Sequence, residues 1–258
     1  LLPLSWSNKQ GLANLLMINA WIPFPSYFFS YNAPSWSIST EFFFYLAFPF
    51  LIYQWEQTWR VKLAISVVVV LFLITLSNLL NLPTYTGENV VSRSALLYIH
   101  PASRMLEFIF GIYLAASWKK KLGQIQWSEV GATLYEIFVI VIAAASMHFI
   151  APIAEWVGQT WLGASSAEWL YSAGSILAYG LLIFVMATGR GRISAWLSHP
   201  ALVVLGEISF ALYLLHQILL RYYSSNLSYF PNLPNSLAIA IFWTVLLLSS
   251  YLMWAFIE

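Results

Sequence analysis

Glu41 lies in N-A-P-S-W-S-I-S-T-E-F-F-F-Y-L-A-F-P, residues 32–49, a carboxylate inside a run of aromatic and aliphatic side chains. An acidic group at the centre of a membrane span costs roughly 2.5–3.5 kcal/mol on insertion scales, so it usually faces a bundle interior or a watery cavity. At helical spacing Ser37, Glu41, Tyr45 and Phe48 share a face, with one hydroxyl a turn before the carboxylate and another a turn after. Such a carboxylate can orient or charge a base, or bind a hydroxylated acceptor. The structural alternative is an acid near the positive end of a helix dipole.

Two further groups carry chemistry. In P-A-S-R-M-L-E-F-I-F-G-I, residues 101–112, Arg104, Glu107 and Gly111 fall on one face, joined by His100 if the helix reaches back that far. The guanidinium can stabilise negative charge. The structural alternative is a buried ion pair at i, i+3 that fixes packing, with Gly111 allowing a close helix contact. In L-G-E-I-S-F-A-L-Y-L-L-H, residues 205–216, Ser209, Tyr213 and His216 share a face. An imidazole there can act as a general base near neutral pH or serve as a hydrogen-bonded structural residue. Glu207 reads as interfacial, and Glu136 and His148 as helix-contact groups. The four histidines have no paired ligand spacing, and no glycine-rich phosphate loop is present, which predicts neither a metal site nor nucleotide hydrolysis.

These groups must be held by membrane helices. Of 258 residues, 60% are hydrophobic and 8% charged, against about 25% charged in a soluble domain. The net charge of +1, with basic residues scattered between apolar runs, excludes nucleic acid as a partner. Without cysteine the chain has no thiolate nucleophile and no disulfide. The apolar runs predict an all-α bundle of seven spans in a single membrane-embedded domain: about 36–55, 61–80, 101–118, 127–150, 169–188, 203–222 and 236–257. Before them, 12–21 reads as a short helix closed by Pro23 and Pro25, and Ala95 to Ile99 as a separate segment entering the third span.

Lysine and arginine bias orients the bundle. Arg60, Lys62, Lys119, Lys120, Lys121, Arg190 and Arg192 fall in loops of one side, and only Lys9, Arg93 and Arg221 on the other. The richer side is expected in the cytoplasm, Glu258 with it, in a plasma (inner) membrane. Counting about 1.5 Å per residue from the outer ends, Glu41, Arg104 and His216 lie roughly 5–10 Å deep, which predicts that their side chains converge.

The segments 34–45, 101–112, 205–216 and the terminal F-I-E, in that order, resemble the membrane acyltransferase-3 family. The resemblance implies a ten-helix bundle that moves an acyl group, often acetyl, from cytoplasmic acyl-CoA to a hydroxyl of a cell-surface glycan, a lipid-linked sugar or a similar acceptor. Acyl-CoA is then a co-substrate, and no bound cofactor is expected. It carries over to Trp36, Ser37, Glu41, Tyr45, Arg104, Glu107, Gly111 and His216. With the residues read above, this gives Glu41, Arg104 and His216 as catalytic candidates and Trp36, Ser37, Tyr45, His100, Glu107 and Tyr213 as substrate-binding ones. The family's early arginine, followed about ten residues later by a histidine, has no counterpart here. Together with the absence of a starting methionine, this is read as three helices lying upstream of Leu1. The competing readings are a transporter or channel, with Glu41 and Arg104 lining a polar route, and a non-catalytic scaffold.

Overall fold

The computed structural model describes residues 8–84, 87, 89–122, 127–226 and 234–257, with the side chains of 121 and 122 left aside. Glu258 and the Lys121 side chain, on which the orientation expected from the sequence draws, lie outside the described residues. Helices run in the order α1 (Asn8–Leu15), α2 (Pro25–Phe28), α3 (Ser35–Ile52), α4 (Trp55–Leu79), α5 (Pro101–Ser117), α6 (Glu129–Gly158), α7 (Gly163–Ala173), α8 (Ile176–Met186), α9 (Arg192–Leu197), α10 (Pro200–Glu207), α11 (Ser209–Ser225) and α12 (Asn235–Ile257). The protein is an all-α polytopic bundle. Residues 1–30 and 36–196 form one compact unit, and 31–35 with 197–258 another.

Among the described residues, five helical segments are long and apolar enough to cross a membrane: α3, α4, α6, the α7–α8 stretch 163–186, and α12. The pair α10 and α11, bent by 51° at their junction, would make a sixth. The remaining expected span is α5, whose 17 residues cover about 26 Å.

Several boundaries differ from the sequence reading, each for a local reason. Residues 12–21 are not one helix: Met17 takes a left-handed conformation (φ 54°), and a short 3-10 turn follows at Asn19–Trp21. Pro25 opens α2 rather than closing a helix, since proline suits a first helical turn. The helix α6 runs past the expected end at Ile150, through Pro152, to Gly158. Neighbouring helices and local adjustment let membrane helices tolerate proline. The span expected over 203–222 breaks at Ile208, where Ser209 Oγ donates to the Gly206 carbonyl at 2.6 Å and competes with the helical ladder.

His-Pro-Ala occurs twice, and it opens a helix both times. His100 and His199 are N-caps in extended conformation, and the Nδ1 of each accepts the N–H of Ala102 or Ala201, at 3.2 and 3.3 Å. The proline that follows lacks the N–H a first turn would leave unpaired.

Cross-helix contacts in the first unit fix its loop parity. Lys120 pairs with Glu56, and Arg192 with Glu129 at 2.6 Å, at one end of the bundle. At the other, Asn78 donates to Leu162 O (2.7 Å) and accepts from Ser165 N–H (3.1 Å), while Ser94 donates to Glu168 (2.5 Å). The chain therefore alternates ends as the apolar runs predict.

Glu136 is a buried structural carboxylate, as its reading as a helix-contact group expects. It accepts the N–H groups of Ile193 (3.0 Å) and Ser194 (3.3 Å) at the start of α9. A Cβ on Gly191 would stand 2.1 Å from Glu136 Oε2. Gly191→Ala is therefore expected to push a buried carboxylate off its donors and to destabilise by about 3 kcal/mol. Thermal unfolding in detergent checks this, and an unchanged Tm would remove the assigned role.

Candidate functional site

Three site candidates of the first unit, His100, Arg104 and Glu107, lie at the start of α5, and Trp36 is linked to Arg104 through Tyr98. The N-cap of α5, His100, meets the Trp21 ring edge-on at 4.9 Å. Burial pushes the His100 imidazole below the ordinary histidine range, in keeping with an Nδ1 that accepts a hydrogen bond. The extended backbone at His100 keeps it off the helical face of Arg104, so it does not continue that row.

Arg104 and Glu107 form an ion pair at 2.7 Å, with about a quarter of each side chain exposed. The pair is close but poorly aligned for hydrogen bonding, and Glu107 Oε2 is buried without a donor among the described residues. Arg104 also lies over the Tyr98 ring at 5.4 Å, and that ring meets Trp36 at 5.0 Å. Tyr98 thus bridges the candidate tryptophan to the candidate arginine. Sequence reasoning missed it because the five-residue π turn Ala95–Ile99 follows neither the helical nor the strand period.

Glu41 is half-buried on α3 and accepts a short hydrogen bond from the Tyr45 hydroxyl. Phe44, one turn on, stacks on Phe108 of α5 at 4.4 Å. Glu41 precedes Phe44 by about 4.5 Å and Arg104 precedes Phe108 by about 6 Å of helix rise. Because Trp36 meets Tyr98 earlier in both segments, α3 and this part of the chain advance together, and Glu41 and Arg104 stand at nearly one level. The buried polar groups of α3 are instead Ser39, which donates to Met17 O (2.6 Å) and accepts from Ala20 N–H (3.2 Å), and Thr40, which donates to Ile99 O (3.4 Å). These hold the preceding loop and the π turn against the helix. Ser37 is half-buried.

A cavity of about 570 Å³ opens beside Arg104 and Glu107, walled by α5, α6 and the broken α7–α8 span. Its polar end has Arg104, Glu107, Tyr171, Ser172 and Ser175, and its mainly apolar end Phe110, Leu114, Ile176 and Ile183, with Tyr179 between the last two on α8. Tyr171 is held by its hydroxyl donating to Glu155 at 3.2 Å. Irregular backbone at membrane depth is tolerated where it lines a cavity, and the α7–α8 break at Gly174 and Ser175 is such a place. Glu41 is not among the lining residues. A second cavity, about 390 Å³, is lined by Asn78, Asn81, Arg93, Trp161 and Ser165. Its Trp161 ring is almost wholly exposed.

In the second unit, His216 Nδ1 lies 2.5 Å from the Tyr213 carbonyl. A carbonyl only accepts, so the proton of that contact sits on Nδ1. At His100 and His199, by contrast, Nδ1 accepts. Tyr213 donates its hydroxyl to Pro34 O at 3.4 Å, and its ring lies 5.8 Å from that of His216. Ser209, on the same face, is committed to Gly206.

A family model described as an acyltransferase domain matches residues 1–254. The acyltransferase MdmB of Streptomyces mycarofaciens is 29% identical over 218 residues, covering 81% of this chain and 50% of that protein. The chain thus spans about half the length of the curated relative it matches. No solved structure matches. A helical membrane bundle bearing the Glu41, Arg104–Glu107 and His216 segments in order, matched by that model over nearly its whole length, belongs to the acyltransferase-3 family.

Proposed function

We propose that the full-length protein transfers an acyl group, acetyl first among the candidates, from acyl-CoA to a hydroxyl of a cell-surface glycan or similar sugar acceptor. The observation that carries the reading is the cavity headed by the Arg104–Glu107 pair, where a cation and a carboxylate stand at the polar end of a space whose other end is mainly apolar. The family and the relative's designation as an acyltransferase support it. In the transfer the acceptor oxygen bonds to the thioester carbonyl carbon as the C–S bond breaks. The hydroxyl proton passes to a base and then to the departing thiolate. Arg104 stabilises the developing oxyanion or the charge of CoA, within reach of Glu107. Glu41, presented with Tyr45, orients or charges a histidine base or binds the acceptor, and Trp36, Ser37 and His100 are assigned to substrate binding. His216 and Tyr213, of the second unit, are assigned supporting roles. Amides, a guanidinium and an exposed indole in the second cavity suit a polyhydroxylated acceptor.

The test is transfer from radiolabelled acyl-CoA to sugar acceptors by the purified full-length protein. Label that never reaches an acceptor hydroxyl would end the reading. The donor's side is checked by cysteines introduced as Lys120→Cys and Asn89→Cys, residues 1–258 having none. On intact cells an impermeant thiol reagent is expected to label only position 89, because charge bias puts the lysine loop inside. Labelling at 120 alone reverses the orientation.

A further inference from the structure

We infer that the cavity along α5 receives the acyl chain itself and sets its length, so that chains longer than acetyl are accepted, with Gly111 as the gauge. The inference rests on the acyl-transfer reading and adds a substrate class to it. The space runs past Arg104 and Leu114, ten residues and about 15 Å of helix, and its character changes from charged and hydroxyl-rich to mainly aliphatic and aromatic along the way, Tyr179 being the hydroxyl in the second part. At about 570 Å³ it has the liquid volume of about nineteen waters. A two-carbon acyl group would leave most of that apolar end empty. A longer chain, with its carbonyl near Arg104, would lie against Phe110, Gly111, Leu114 and Ile183.

The glycines around the cavity separate two roles. A Cβ on Gly180 would stand 2.5 Å from Phe110 Cε1, and one on Gly174 would stand 2.4 Å from Ile150 Cδ1. Those two glycines permit close helix approach. A Cβ on Gly111 would meet nothing within 4 Å, although Gly111 lines the cavity. Close packing, the structural alternative for this glycine, therefore does not account for it, and glycine in a helix interior is otherwise unfavourable. What Gly111 leaves is room on the wall that carries Arg104 and Glu107.

Each methylene moved from water into an apolar site strengthens binding about fourfold. The full-length protein in detergent is titrated with S-ethyl-, S-butyl- and S-hexyl-CoA thioethers, and kcat/KM is measured with the acetyl, butanoyl and hexanoyl thioesters. The hexyl thioether is expected to bind at least tenfold more tightly than the ethyl one. Gly111→Leu should cut that advantage about tenfold, and Gly111→Ala, which only a methyl distinguishes from the native residue, should fall between. Affinity independent of chain length, or equal weakening of all three thioethers by Gly111→Leu, overturns the inference. Acetyl transfer without length preference would sink it while sparing the catalytic reading. Length-dependent, Gly111-sensitive binding without transfer to any hydroxyl would do the reverse. Failure of every thioether to bind removes both.

Discussion

Glu41→Gln in the full-length protein is expected to lower acyl transfer by roughly a hundredfold or more, the scale of losing a positioned acid–base group, with the protein still expressed and inserted. The amide keeps the size of the side chain and removes its charge. It can still accept a hydrogen bond from Tyr45, so the local geometry at α3 survives. Little else in the fold depends on this carboxylate: the buried polar ties of α3 are made by Ser39 and Thr40, and Tyr45 is exposed. Tyr45→Phe removes only the donor. A hydrogen bond to a charged group contributes about 1.5–3 kcal/mol, so this variant should lose about tenfold or more through a carboxylate that is no longer oriented. Product formation at fixed protein, normalised to the membrane fraction, is the measurement. Wild-type transfer by Glu41→Gln would return the residue to the role of a carboxylate near a helix start.

Much of the bundle is legible in the residues because apolar runs of about twenty are strong local signals. The start of α5 is equally legible, since His100-Pro101 permits a helix only from that proline onward. What escaped was set by distant partners. The helix α7 begins at Gly163, six residues before the expected span, because Asn78 on α4 supplies the acceptor for Ser165 N–H. Its interruption at Gly174 goes with the nearness of Ile150 on α6. Neither fact is a property of residues 163–188 taken alone. The same holds at the site. The spacing of Arg104, Glu107 and Gly111 gives their common face, and the cavity is walled there. The link from Trp36 to Arg104 through Tyr98 depends on a π turn with no sequence period to reveal it.

Arg104 and Glu107 allow a structural ion pair to be told apart from a catalytic one, because the two make opposite predictions for a double variant. Arg104→Gln leaves a carboxylate of which about a quarter is exposed without its cation, and is expected to cost about 3 kcal/mol in unfolding free energy. Glu107→Gln should cost less, because the guanidinium keeps the Tyr98 ring beneath it. Replacing both by apolar groups of similar volume, Arg104→Met with Glu107→Leu, removes the unpaired charge that makes each single change expensive. Stability should return to within about 1 kcal/mol of wild type, since buried ion pairs are often matched or exceeded by hydrophobic replacements. If the pair only fixes packing, transfer returns with it. If Arg104 stabilises charge developing on the thioester oxygen, transfer stays down by two orders of magnitude or more in a protein whose Tm is normal. The thioether titration separates binding from chemistry in the same variant: kcat should fall further than affinity for the S-alkyl chain, whose apolar wall from Phe110 to Ile183 is untouched. A stable double variant that transfers acyl groups at the wild-type rate would leave Arg104 no part in the reaction.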